Sequence, residues 1–230
     1  MAEGTVVERA PRYPVTLAVA GRRCVVVGGG RVATRKVTAL LEAGAAVHVV
    51  SPALSDAIEA LAAAGRITVE RRGYQPGDLR GAFLAIAATD ARAVNAAVAA
   101  EARAERVLVT VCDDPAASDV GGAAVIRRGA LTVAVSTEGE SPALAQLVRE
   151  ELAAFLTPEY ATLLELAAAE RRAAQQRALD LPPARWRAAL TPAVLALVRA
   201  GDLPAARAQL RAALGIEPAL AGQVADSEGR

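Results

Sequence analysis

Three consecutive β-branched residues, Val25-Val26-Val27, run straight into Gly28-Gly29-Gly30, and Ala33, Val37, Leu40 and Leu41 then recur at helical spacing. A short apolar run closed by glycine and followed by such a stripe predicts a buried strand, a tight turn and an amphipathic helix. The spacing Gly28-x-Gly30-x-x-Ala33 gives each small residue its own task. Gly28 permits the turn, the missing Cβ of Gly30 lets backbone amides approach a pyrophosphate, and Ala33 lets the helix pack closely on the strand. Phosphate would sit on the helix N-terminus, where unpaired N–H groups and the helix dipole favour negative charge. Glycine-rich turns also occur where nothing binds, but the strand before and the helix after favour a dinucleotide here. Gly28, Gly29, Gly30, Arg31 and Val32 are therefore candidate cofactor residues.

The pattern continues along the chain. Ala46–Val50, Ile67–Arg71, Phe83–Ala88 and Val107–Val111 are further apolar runs with helical segments or turns between them. Tyr13–Val19 is also expected as a short strand lying against the main sheet. Ser51-Pro52 is expected to open a helix from Ala53 to Ala64, and Thr89-Asp90 to cap one from Ala91 to Ala104. Strands that are continuously apolar and alternate with helices make an α/β fold of the Rossmann-like, doubly wound type, its parallel sheet covered on both faces. After Pro115 the pattern changes. Ala123–Ile126 and Leu131–Ser136 are joined by only four residues, enough for a hairpin and too few for a parallel crossover. From Ser141-Pro142 onward the chain reads as helices. The expected divisions are 1–114 for the dinucleotide-binding domain, 115–140 for a small β segment serving dimerisation, 141–221 for a helical C-terminal domain, and 222–230 for a disordered tail.

At 230 residues the chain can bury a real core. Its apolar fraction of 53% with only 3% aromatic residues means Ala, Val and Leu supply that core. A formal net charge of +1 gives no electrostatic reason to expect nucleic acid or an acidic membrane as partner. The first residues lack the basic start and apolar run of a secretory signal, and no stretch of about 18 uninterrupted apolar residues occurs, so a cytoplasmic protein is expected. Cys24 and Cys112, each at a core strand, read as buried free thiols rather than a disulfide. Two cysteines and one histidine form no dense ligand cluster, so no metal site is expected. Nucleophile-elbow and Walker motifs are absent as well.

Ligands of an open parallel sheet lie beyond the carboxyl ends of its strands. That rule makes Gly28 to Arg31, Ser51-Pro52, Thr89-Asp90 and Cys112-Asp113-Asp114 candidates. Ser51 stands where an acid would bind the adenosine ribose; it can bond a ribose hydroxyl without repelling a 2′-phosphate, or simply cap a helix. A carboxylate at Asp113 could take a proton while hydride leaves to a cofactor. Asp113 or Asp114 could equally be a turn residue before Pro115. His48, on an apolar strand, reads as structural.

Tyr13-Pro14-Val15 through Gly21-Arg22-Arg23 into Val27-Gly28-Gly29-Gly30-Arg31-Val32-Ala33-x-Arg35-Lys36 resembles the start of the precorrin-2 dehydrogenases, which form the dehydrogenase-ferrochelatase modules of siroheme synthases. Leu84–Asp90, Val111–Pro115, and Leu131–Thr137 followed by Ser141-Pro142 keep that family's order and spacing from about Tyr13 to Glu151. The resemblance implies NAD-dependent oxidation of precorrin-2 to sirohydrochlorin by a homodimer, with the family's essential aspartate falling on Asp113. Gly28 to Val32, Ser51, Pro52 and Thr89 then form the expected NAD-binding set. Arg127, Arg128, Ser136 and Ser141 are the expected substrate-binding residues, with Arg149 a further candidate for the tetrapyrrole's carboxylates. Hairpin-tip and helix-surface arginines are also commonly just solvated. The chain departs from the family at Thr110, where an asparagine is common, at Val120-Gly121-Gly122-Ala123, and at Glu138 and Glu140. Two other readings remain at this point: a dehydrogenase that also inserts iron or cobalt, and a non-catalytic dimeric module that senses NAD.

Overall fold

The computed structural model describes residues 11–216. Its order is β1 Arg23–Val27, α1 Arg31–Glu42, β2 Ala46–Val50, α2 Asp56–Ala63, β3 Thr68–Glu70, β4 Leu84–Ala87, α3 Arg92–Glu105 and β5 Leu108–Val111. There follow β6 Ala124–Arg128, β7 Leu131–Val135, α4 Pro142–Phe155, α5 Glu159–Gln176, α6 Pro183–Ala189, α7 Pro192–Arg199 and α8 Leu203–Leu214. The expected disordered tail, 222–230, lies outside the described residues.

The first five strands form one parallel sheet in the order β3-β2-β1-β4-β5. Strand order reverses between β1 and β4, which creates the switch-point crevice at which doubly wound sheets bind ligands. Val25, Val26 and Val27 are essentially inaccessible to solvent, and alternate residues of β1 serve opposite faces. Val26 packs with Ala33 and Val37 of α1 and Ile58 of α2, while Val25 and Val27 pack with Leu79 and with Val98 and Ala102 of α3. Both faces of the sheet are thereby covered, which is why its strands read as unbroken apolar runs.

The chain forms two compact units. Residues 11–123 together with Ser136–Pro142 make the first, and Ala124–Val135 with residues 143–216 make the second. The division falls after Ala123 and not after Asp114, because residues 115–123 fold back along β5. Asp119 and Val120 donate their amides to the Val109 carbonyl at 2.8 and 3.1 Å, and the Thr110 hydroxyl donates to the Val120 carbonyl at 2.9 Å. In the second unit β6 and β7 pair antiparallel with Arg128 opposite Leu131. Gly129 takes the positive φ, +56°, that a two-residue hairpin needs at its first turn position. The helices of this unit bury a separate core around Leu166, Val194, Leu210 and Leu214.

Three expected elements differ. Tyr13–Val19 forms no strand. Tyr13 and Val15 are exposed, Pro14 has no amide to donate, and only Leu17 and Val19 reach the core, so the segment is held by side chains without a ladder. The second helix starts at Asp56, capped by Ser55 at the Ile58 amide, and not at Ala53. Ser51 instead turns its hydroxyl onto the Ala53 carbonyl at 2.7 Å. The third helix starts at Arg92 with Ala91 as an N-cap that offers no side-chain bond. Cys24 and Cys112 are both free thiols; Cys24 is buried, as expected, but Cys112 is exposed. Cys24 opens β1 whereas Cys112 lies past the end of β5, two strands across and at the opposite end of the ladder, so no bridge can form between them.

The loop between β3 and β4 is tied down by charge. Asp78 takes a two-pronged contact from Arg72, at 2.9 and 2.7 Å, and accepts the Gln75 amide. The Arg72 bond holds the Asp78 carboxyl below its ordinary value against the opposing effect of burial. A depressed folded-state value stabilises the fold above the ordinary carboxylate range, and that stability is lost as pH falls through the folded value. Urea denaturation of wild type and Asp78→Asn is expected to differ most near neutrality, with the two curves converging as the pH falls below that range.

Candidate functional site

The glycine turn is shaped by what surrounds it. Gly28 has φ +122°, and a Cβ there would lie 2.4 Å from the Ala88 carbonyl oxygen, well inside van der Waals contact. A Cβ on Gly29 would lie 2.0 Å from the Ala53 carbonyl oxygen. These two glycines let the turns after β4 and β2 close on the end of β1. Gly30 is different, since a Cβ there would meet nothing within 4 Å.

Gly30 is the N-cap of α1, makes no side-chain cap bond, and is followed by a first turn without acidic residues. The helix end therefore keeps the unpartnered N–H groups intrinsic to a helix start, beside open space and at the positive end of the helix dipole. This arrangement fits a dinucleotide's pyrophosphate, with the Gly30, Arg31 and Val32 backbone placed to hold it. Thr34 reaches back to the Gly30 carbonyl at 3.0 Å and meets the Ser55 hydroxyl at 2.8 Å, and the Ser55 amide donates to Gly29 at 2.8 Å. Ser51 is buried, and Pro52 lies beside it in the bend that precedes Ser55. The Ser51 hydroxyl thus shapes the loop under the glycine turn.

Sheet register brings the other candidates to the same edge. Val27 pairs with Ala87 and Ala87 with Val111, so Gly28, Ala88 and Cys112 each stand one residue past their strands at one level. Asp113 follows on the glycine side of the sheet, about 10 Å from β1 across two strand spacings. The two aspartates divide their work. Asp114 accepts the Ala116 and Ala117 amides at 2.9 and 3.1 Å and is the turn residue. Asp113 accepts one amide proton of Asn95, 3.0 Å away, and is otherwise exposed.

Asn95 was not among the sequence candidates. It is 2% exposed on the inner face of α3, beside Val98, Ala99 and Ala102. A polar side chain on a stripe of spacing i, i+3, i+4, i+7 is the signal that could have revealed it. Its amide nitrogen also donates to the Thr89 carbonyl at 2.9 Å, and its oxygen accepts the Thr89 hydroxyl at 2.7 Å and the Thr89 amide at 3.3 Å. Thr89, expected on the cofactor side, is thus joined to Asp113 through one side chain.

Cys112 lies where charges meet. Burial pushes its thiol up, Lys36 and Arg35 pull it down, and Asp113 pushes it up again. Both cations belong to α1. Lys36 Nζ also lies 3.9 Å from where a Cβ on Gly122 would stand. Across the same loop the Arg12 guanidinium donates to the Pro115 and Ser118 carbonyls, and its backbone amide donates to Glu138 at 3.0 Å. Glu138 holds φ +54°, and the Ser136 hydroxyl accepts its amide at 3.2 Å. Thr137 bonds both the carbonyl and the amide of Ser141, at 3.0 and 3.2 Å. Arg127 and Arg128 belong to the second unit, where Arg128 donates to the Leu156 and Ala153 carbonyls at the end of α4. His48 contacts Thr68 at 2.7 Å, and burial, with Arg23 next, lowers its pKa. A groove of about 850 Å³ along α8, lined by Leu203, Arg207, Arg211 and Ile216 among others, includes none of the expected site residues. Among the described residues no histidine, cysteine and carboxylate cluster could hold a metal, and no helix is long and apolar enough to cross a membrane.

A switch-point crevice with an open, uncapped helix start defines a nucleotide-binding α/β protein of the dehydrogenase type. Comparison with known proteins carries this further. The NAD(P)-binding family model matches residues 15–124, and the sirohaem biosynthesis protein central model matches residues 128–154. Siroheme synthase of Chromobacterium violaceum is 39% identical over 200 residues, covering 86% of this chain and 43% of that protein. Siroheme synthase of Nitrosococcus oceani is 36% identical over 203 residues, covering 87% and 43%. The chain thus spans less than half the length of these curated relatives. The solved structure of SirC, a precorrin-2 dehydrogenase, matches with a TM-score of 0.66 and 29% identity over 87% of this chain and 98% of that one. The chain belongs to the family of precorrin-2 dehydrogenases and siroheme synthase dehydrogenase modules, and its first unit is built for a nicotinamide cofactor.

The glycines separate binding from folding. Gly30→Ala is expected to keep wild-type thermal stability while nicotinamide dinucleotide affinity, read by fluorescence titration, falls about tenfold, roughly 1.4 kcal/mol. Gly28→Ala is expected to lower the melting temperature outright, because the clash is with backbone and not with a bound molecule.

Proposed function

We propose that this chain oxidises precorrin-2 to sirohydrochlorin with NAD in siroheme biosynthesis, using Asp113 as the group that handles the proton. The observation that carries the reading is the carboxylate of Asp113 on the glycine-turn edge of the sheet, oriented by a buried amide and open on its other side. Its neighbour Asp114 is spent on the turn, which leaves Asp113 as the acid available for chemistry.

Bound NAD supplies the acceptor for a hydride, the electron pair leaving with the hydrogen from a carbon of the tetrapyrrole. Asp113 takes the proton released from the neighbouring atom, which completes the loss of two hydrogens and leaves a new double bond in the macrocycle. The protonated carboxyl then passes its proton to water. Gly28 to Val32 would hold the pyrophosphate of a bound dinucleotide, and Ser51, Pro52 and Thr89 would border its nucleoside and nicotinamide ends. Positioning supplies much of the acceleration, because donor carbon and acceptor must nearly touch. Lys36, whose Nζ lies beside Gly122, adds a positive charge near the segment that follows β5, which suits a polycarboxylate. Ser136 and Ser141, in the segment that returns to the first unit, and Arg127 and Arg128 remain the residues proposed for substrate binding. Arg128 would have to leave the α4 carbonyls to serve there.

NAD is preferred over NADP on the family likeness. A homodimer accords with the exposed Val125 of the hairpin and the exposed Leu144, Leu147 and Phe155 of α4, apolar surface that a second copy would cover. Sedimentation is expected to give twice the chain mass, and Leu144→Lys with Leu147→Lys to shift it toward the monomer. Precorrin-2 with NAD is expected to yield reduced nicotinamide, followed by its absorbance. Asp113→Asn should cut turnover by about 10²–10⁴ with cofactor affinity retained; full turnover in that variant overturns the assignment.

A further inference from the structure

We infer that Asn95 is a positioning residue that holds the Asp113 carboxylate and couples it to the Thr89 turn beside the cofactor. The inference rests on the reading of Asp113 given above, and goes beyond it by assigning a function to a residue of α3. The support is geometric. One side-chain amide, 2% exposed, engages two strand ends at once: its nitrogen donates to the Thr89 carbonyl and to Asp113, and its oxygen accepts from the Thr89 amide and hydroxyl.

The orientation of the amide is fixed by this set. Turning oxygen for nitrogen would set the oxygen against the Thr89 carbonyl and the Asp113 carboxylate, and the nitrogen against the Thr89 amide proton. Asn95 therefore presents a donor to Asp113 in a site from which water is largely excluded on that side. A buried polar group satisfied on every side holds its neighbours more firmly than a surface contact does. Asp113 is exposed, follows the last parallel strand and, among the described residues, accepts a side-chain hydrogen bond from Asn95, which directs its carboxylate. Thr89 is held by the same amide, with its hydroxyl also accepting the Ala91 amide at 3.2 Å. Motion of the cofactor-side turn and motion of the carboxylate are thus mechanically linked.

Asn95→Asp and Asn95→Ala in the full chain test this, with Asp113→Asn and the exchange Asn95→Asp with Asp113→Asn alongside. Asn95→Asp is isosteric and keeps the accepted Thr89 bonds, but replaces the donor facing Asp113 with an acceptor. Turnover of precorrin-2 with NAD is expected to drop about a hundredfold in kcat, the scale of a misplaced catalytic group, with KM for precorrin-2 and the dissociation constant for NAD little changed. The exchange restores an amide-to-carboxylate bond, so it should recover the thermal stability lost in Asn95→Asp while turnover stays at the level of Asp113→Asn. Wild-type kcat in either Asn95 variant overturns the inference and leaves the reading of Asp113 intact. So does a parallel loss of stability, NAD affinity and kcat in Asn95→Ala, which a purely structural role would give. Full activity of Asp113→Asn, or no oxidation by the wild-type chain, overturns the underlying reading and the inference with it. Should Asn95→Asp fail to fold, Asn95→Ala and the exchange still decide.

Discussion

The approach of two backbones at Gly28 sets the rest of the first unit. With φ +122° and a neighbouring carbonyl where a Cβ would stand, Gly28 lets the turn after β4 lie directly against the turn after β1. Parallel register then does the remaining placement, because Val27, Ala87 and Val111 are partners in turn across the ladder. Whatever extends past those residues shares one edge: the open start of α1, the Thr89 turn and the Asp113 carboxylate. The site follows from a steric permission at one residue and from strand pairing that no side chain at the site has to enforce.

Two kinds of glycine serve this arrangement. Gly28 and Gly29 are required by protein atoms, and Gly30 is required by nothing inside the chain. A residue kept small beside empty space makes sense when something outside the chain fills that space. The uncapped first turn of α1 borders the same space, whereas Ser55, Thr191 and Asp202 each satisfy an amide at their own helix starts. Charge agrees with it, for the first turn of α1 holds no acid and begins with the exposed Arg31.

Much of this was legible in the order of residues. The doubly wound sheet, the glycine turn and the hairpin follow from apolar runs and glycine positions, because burial on both faces and tight turning leave marks on local composition. Tyr13–Val19 misled for a physical reason: alternation looks like a strand, but a strand also needs a free ladder edge, and that is a property of the whole sheet. Ser51 and Ser55 both precede apolar residues, and which one caps depends on where the glycine turn leaves room. The residues alone leave Asp113 and Asp114 open; the family resemblance points to Asp113, and in the structure the amides of Ala116 and Ala117 claim the second carboxylate. Asn95 carried a signal, a polar residue on an apolar face, whose meaning depends on partners 6 and 18 residues away.

The path of the chain has a further consequence. After the hairpin the backbone comes back to the first unit over Ser136–Pro142 before leaving again along α4, and within that return Glu138 receives the Arg12 amide. No contiguous stretch of sequence therefore contains the whole first unit without also containing the hairpin. A gene truncated at Ala123 would therefore encode a nucleotide-binding sheet whose Arg12 backbone amide had lost the carboxylate that receives it.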